Sequence, residues 1–147
     1  MKRLHVSIAV RDLEKSVRFY SALFGIEPTI LKTDYAKWML ADPRANISIS
    51  SRDKHKGIDH LGIQVDDDAE LATLIQRLAR AGQSVHEQKA TTCCYAKSNK
   101  AWVHDPEGVA WETFYTFGES MTYSGQAADG SKSSTCCDTP KASRHPA

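Results

Sequence analysis

Two stretches of the chain, 3–10 (Arg-Leu-His-Val-Ser-Ile-Ala-Val) and 58–65 (Ile-Asp-His-Leu-Gly-Ile-Gln-Val), alternate in the same way and carry a histidine at matching points. Successive side chains of a β-strand face opposite sides, so Leu4, Val6, Ile8 and Val10 form one aliphatic face and His5, Ser7 and Ala9 the other. In the second stretch Leu61, Ile63 and Val65 oppose His60, Gly62 and Gln64. The segments after these two strands repeat too. Asp12 is suited to cap a helix in which Leu13, Val17, Tyr20 and Phe24 recur at helical spacing, and Gly25 is suited to end it. Asp67 and Glu70 have the spacing of a capping box, with Leu71, Leu74, Ile75 and Leu78 after it and Gly82 as the stop. Strand-like runs come after the first helix near 26–31, 35–40 and 46–50, and after the second near 84–88, 101–104 and 109–115. Turns at Asp42-Pro43-Arg44-Ala45 and Asp105-Pro106-Glu107-Gly108 precede the last strand of each set. Strand, helix and three strands therefore occur twice, offset by the 55 residues between His5 and His60. The pattern predicts an α+β fold of two βαβββ modules, about 1–52 and 57–117, in pseudo-twofold pairing.

A chain of 147 residues suits one domain with a real core. That domain is expected over 1–117, because 118–147 holds almost no large apolar residue after Tyr123 and reads as a disordered tail carrying Cys136 and Cys137. With 19 basic against 18 acidic residues, the charge pattern gives no reason to expect a nucleic acid or an acidic membrane surface as partner. The first apolar run stops at Val10, before Arg11-Asp12, too early for a signal peptide, and no membrane-length apolar stretch occurs after it. A cytoplasmic protein is expected, as monomer or homodimer. In that compartment the pairs Cys93-Cys94 and Cys136-Cys137 are expected as thiols, used for metal or redox chemistry rather than as a disulfide frame.

Six histidines are present, of which His55 and His145 lie in polar surroundings and need no special role. A lone histidine on a half-buried strand is most often a hydrogen-bonded residue. Two at equivalent points of a repeat are different, since paired modules would bring His5 and His60 to one place. Glu112 shares a strand face with Ala110 and Phe114, where an unpaired carboxylate is costly to bury. Two imidazoles and one carboxylate can occupy one face of an octahedral ion and leave three positions open. That set favours Fe(II), with manganese, zinc or nickel as other possible occupants, and His104 is the substitute ligand.

The repeated pattern, the two histidine strands and the run Asp105-Pro-Glu-Gly-Val-Ala-Trp-Glu112 resemble the vicinal oxygen chelate superfamily over about residues 1–117. That superfamily includes glyoxalase I, extradiol dioxygenases, fosfomycin-modifying transferases and bleomycin-binding proteins. With Cys93-Cys94 in the polar stretch 90–100, the chain resembles the branch of C–As lyases and cadmium-induced proteins. Adjacent cysteines grip one atom only where the backbone bends, so a loop or turn is expected there. Lys97 and Lys100 nearby favour thiolates, and two thiolates suit a soft centre such as trivalent arsenic. The resemblance implies Fe(II) held by His5, His60 and Glu112, a trivalent organoarsenical such as methylarsonous acid held by Cys93 and Cys94, and O2 as co-substrate. It also implies an arsenical-capturing role for Cys136-Cys137 and a mobile covering loop containing Tyr95 and Lys100. Two rivals stand beside this reading. One is a fosfomycin-type thiol transferase, which shares the two-histidine, one-glutamate set with Mn(II) but has no need of the cysteine pair. The other is a non-catalytic Cd- or As-binding resistance protein.

Overall fold

In the computed structural model, residues 1–123 are described, and the expected tail with Cys136-Cys137 lies outside them apart from its first residues. The elements run β1 (Arg3–Ala9), α1 (Leu13–Phe24), β2 (Ile30–Leu31), β3 (Tyr35–Leu40), β4 (Ala45–Ser50), β5 (Gly57–Val65), α2 (Asp68–Arg80), β6 (His86–Cys93), β7 (Ala96–His104) and β8 (Ala110–Glu119). This is strand, helix and three strands, twice, as the pattern predicts. Contacts divide the chain into a unit over Met1–Gln64 and a second beginning at Val65.

In the first unit the strands lie in the order β2-β3-β4-β1-β5. β1 runs parallel to β4, with His5 beside Asn46 and Ser7 beside Ser48, and antiparallel to β5, with His5 opposite Gly62 and Ser7 opposite His60. Neighbours in register share a face, so β4 adds Asn46, Ser48 and Ser50, all buried, to the polar face carrying the histidines. The opposite face forms the core. Ala36, Trp38 and Ile49 are fully enclosed, and Leu13, Val17, Tyr20 and Phe24 of α1 pack against them at the spacing read from the sequence. The Tyr20 and Phe24 rings lie 6.0 and 5.8 Å from that of Trp38, whose Nε1 donates to the Ile26 carbonyl. A buried aromatic in such a place is worth about 3–5 kcal/mol against alanine. The local signals for α1 act as expected: Asp12 accepts from the Lys15 amide at 2.9 Å, and Gly25 closes the helix in the left-handed region at φ 70°.

The second unit holds α2 and the antiparallel succession β6-β7-β8, which repeats that of β2-β3-β4. Asp67 caps α2 by accepting from the Glu70 amide, and Glu70 reaches back to the Asp66 amide, one residue before the position a capping box would use. Three stretches differ from expectation. β2 shrinks to two residues, whereas β6 extends to Cys93 and β7 begins at Ala96, so only Cys94 and Tyr95 connect them. β8 continues to Glu119, two residues into the segment that reads as a tail. Cross-strand pairing, which local propensity does not report, sets the length of all four strands. No helix among the described residues is long and apolar enough to cross a membrane.

Candidate metal and thiol site

His5 and His60 are each nearly enclosed, at 6% and 5% exposure, yet their Nε2 atoms face one another at 3.3 Å. Small neighbours, Gly62 opposite His5 and Ser7 opposite His60, leave room for both rings on one face. The other nitrogen of each ring is held from behind. His5 Nδ1 lies 3.0 Å from the backbone carbonyl of Asn46, and a carbonyl only accepts, so this nitrogen carries the proton. His60 Nδ1 lies 2.6 Å from Asp59 Oδ2 and donates to the carboxylate. In the neutral form of each ring, Nε2 then presents a lone pair. Lone pairs that close repel one another, and a shared cation between them removes the repulsion.

Asp59 escapes a reading of the sequence, although it adjoins His60, because strand alternation sends neighbouring side chains to opposite faces. The register explains the exception. Ser7 pairs with His60 but Ile8 pairs with Ile58, so Asp59 is an extra residue in β5. Such a β-bulge re-aims a side chain, here bringing the carboxylate against the ring of the next residue. Asp53 stands close enough to feel the same charge. Partial burial, and then repulsion from Asp59, push its carboxyl above the ordinary range.

Glu112 is buried at 7% exposure on a β8 face shared with buried Ala110 and Phe114, as expected. His5, His60 and Glu112 are the one group of three buried donors found among the described residues that could hold a metal ion. Beside His5, Asn46 Oδ1 is a buried oxygen with no hydrogen-bond partner, an acceptor that suits an occupant bringing water. His104 ends β7, half-buried, and is not part of the group.

Cys93 is the last residue of β6, and Cys94 with Tyr95 makes the two-residue turn into β7, where a bend is expected. Both turn residues have positive φ, 54° and 61°. That conformation matches a type I′ hairpin, which favours Asn-Gly because side chains with a Cβ are strained there. A thiol and a phenol side chain thus occupy positions costing on the order of 1–2 kcal/mol each, the kind of strain found at functional sites. The turn is braced by the Ser120 amide, which donates to the Tyr95 carbonyl, and by the Tyr123 ring edge-on to Tyr95 at 5.7 Å. The two sulfurs lie 3.3 Å apart. With both as thiols, the pair is placed to hold one soft atom between them. Lys100 corrects an expectation. It sits inside β7 at 4% exposure, not in a loop, and its Nζ donates to Glu112 Oε1 at 2.9 Å.

Residues 2–113 match the model of the glyoxalase/bleomycin resistance protein/dioxygenase superfamily. The chain is 47% identical over 119 residues to a trivalent organoarsenical cleaving enzyme of Bacillus sp. (strain MD1), covering 79% of this chain and 74% of the relative. It is 42% identical to a probable trivalent organoarsenical cleaving enzyme of Bacillus subtilis (strain 168), over 95% of this chain and 93% of the relative. A cadmium-induced protein, CadI, of Mycobacterium bovis is 34% identical over 94% of each. Among solved structures, homoprotocatechuate 2,3-dioxygenase of Arthrobacter globiformis shares the fold, with a TM-score of 0.59 and 20% identity over 85% of this chain and 38% of that one.

Proposed function

From the premise that the chain belongs to the glyoxalase/bleomycin resistance protein/dioxygenase superfamily, we propose that it is an Fe(II)-dependent dioxygenase cleaving the carbon–arsenic bond of trivalent organoarsenicals. The substrate class would be methylarsonous acid and its like, with inorganic As(III) and an oxidised carbon fragment as products. One observation carries the substrate assignment: two sulfurs 3.3 Å apart at a strained turn, close enough to bond a single arsenic. The relatives named as organoarsenical cleaving enzymes support it. The metal half rests on the donor set of His5, His60 and Glu112.

In this reading, reduced Cys93 and Cys94 each replace one hydroxyl of the arsenical. A sulfur–arsenic bond forms, an oxygen–arsenic bond breaks, and the thiol proton leaves with the hydroxyl as water. Methylarsonous acid has two exchangeable positions, so the clamp fills both and spares the carbon–arsenic bond. Bridging two residues at the hairpin tip fixes the arsenic in place and lowers the entropic part of the barrier. His5, His60 and Glu112 would hold the iron, with the Asn46 carbonyl and Asp59 fixing the ring tautomers. When bound, Fe(II) supplies the oxygen chemistry that side chains lack.

The test is oxygen uptake and As(III) release by the reduced, Fe(II)-loaded protein given methylarsonous acid. Cys94→Ser is expected to lower activity at low substrate by at least about 100-fold, near the upper range for a lost outer contact and fitting for a lost covalent anchor. Undiminished turnover by Cys94→Ser would refute the clamp. The likeness to a cadmium-induced protein favours one second reading, a non-catalytic binder of soft metals or arsenicals. Binding of the arsenical without any oxygen uptake would establish that reading instead.

A further inference from the structure

The ion pair between Lys100 and Glu112 is buried at both ends, with exposures of 4% and 7%. Such pairs seldom add stability, because desolvating two charges offsets their attraction, and apolar residues of equal volume do as well or better. Its presence calls for a role in placement. The register supplies the means: Trp102 pairs with Glu112 and Lys100 with Phe114, so Lys100 reaches Glu112 along the diagonal of one strand face. Its ammonium also stands 5.7 Å from the Trp102 ring, a favourable cation–π position that limits where the head can go.

We infer that Lys100 is a positioning residue that confines Glu112 to one oxygen on the metal. The inference rests on the metal reading above. With Oε1 bonded to an ammonium, chelation through both oxygens would draw that ammonium against a divalent ion, where like charges repel. Glu112 is therefore held to a single bond. Two imidazoles and one carboxylate oxygen leave three positions of an octahedral ion open, whereas a chelating carboxylate leaves two. In the metal-free protein the same ammonium balances the Glu112 charge, so the site can stay formed before it is loaded.

Co(II) is the probe, titrated into the reduced full-length protein and monitored by its visible absorption, with thermal melting of the metal-free and loaded forms. Lys100→Met is expected to bind Co(II) about tenfold more tightly, since a cation beside the ion is gone. It should also show an altered Co(II) spectrum, a lower Tm without metal, and a larger rise in Tm on loading. Lys100→Arg, which retains the charge and the donor, should restore the wild-type spectrum and affinity. Lys100→Gln, closer in size and still a hydrogen-bond donor, should behave as Lys100→Met does and covers the case in which the methionine variant fails to fold. Unchanged or weaker Co(II) binding with an unchanged spectrum in the neutral variants would reduce Lys100 to a structural ion pair and overturn the inference. Failure of the wild-type protein itself to bind Co(II) would overturn the metal reading, a different and separable result.

Discussion

His5 and His60 occupy matching points of β1 and β5, but the groups behind their rings differ. His5 donates to a backbone carbonyl, that of Asn46, which is fixed by the β-sheet and carries no net charge. His60 donates to the Asp59 carboxylate, a charged side chain that reaches it through a bulge in β5. A carboxylate partner makes an imidazole a stronger donor to metal than a carbonyl does, and it is a partner that a substitution can remove. The repeat thus copies the ligand without copying its support. One histidine is held by architecture, the other by a residue.

The largest effect expected from breaking this pair is the loss of a ring. His5→Ala and His60→Ala should each bring Co(II) or Fe(II) binding below detection in equilibrium dialysis; retention of metal by both variants would remove them from the ligand set. A sharper comparison uses the groups behind the rings. Asp59→Asn should weaken metal binding by about 10–100-fold, the usual range for such supports. Asn46→Ala keeps the backbone carbonyl and should change affinity by less than about threefold, within the spread of a lost side-chain contact. Equal losses in the two variants would show that the supports are equivalent after all.

The smallest effect concerns Asp53, whose carboxyl is raised by burial and by the nearby Asp59 charge. A carboxyl with a folded-state pKa above its unfolded value favours folding while protonated. That contribution is present below the unfolded value of 3.8 and is lost as pH rises through the raised folded value. At neutral pH ionised Asp53 therefore opposes folding. Asp53→Asn should raise Tm at pH 7, with the gain shrinking toward pH 4 as the wild-type group protonates. A uniform Tm change across that range would place the effect elsewhere.

Local chemistry is readable wherever it acts over a few residues. Caps at Asp12 and Asp67 depend on amides three positions away, and the faces of β1 and β5 on a period of two. Glu112 stands out because a carboxylate between buried Ala110 and Phe114 needs a partner. Asp59 is hidden by the same period that reveals His60, because the bulge exists only in the pairing of β1 with β5. Lys100 has the polar sequence neighbours of a loop residue, whereas its burial comes from β8 alongside it. The hairpin at Cys94-Tyr95 carries neither glycine nor asparagine, so no turn residue announces how tight it is.

The sequence by itself determined the repeat, the helices, the ligand types and the cysteine pair, since each is written in spacing or in residue chemistry. Only the tertiary structure decided which nitrogen of each ring is available, that Asp59 stands behind His60, that Lys100 holds Glu112, and that Cys94 and Tyr95 form a tight turn. Those features depend on strand register and bulges, where a shift of one residue exchanges the faces of a strand.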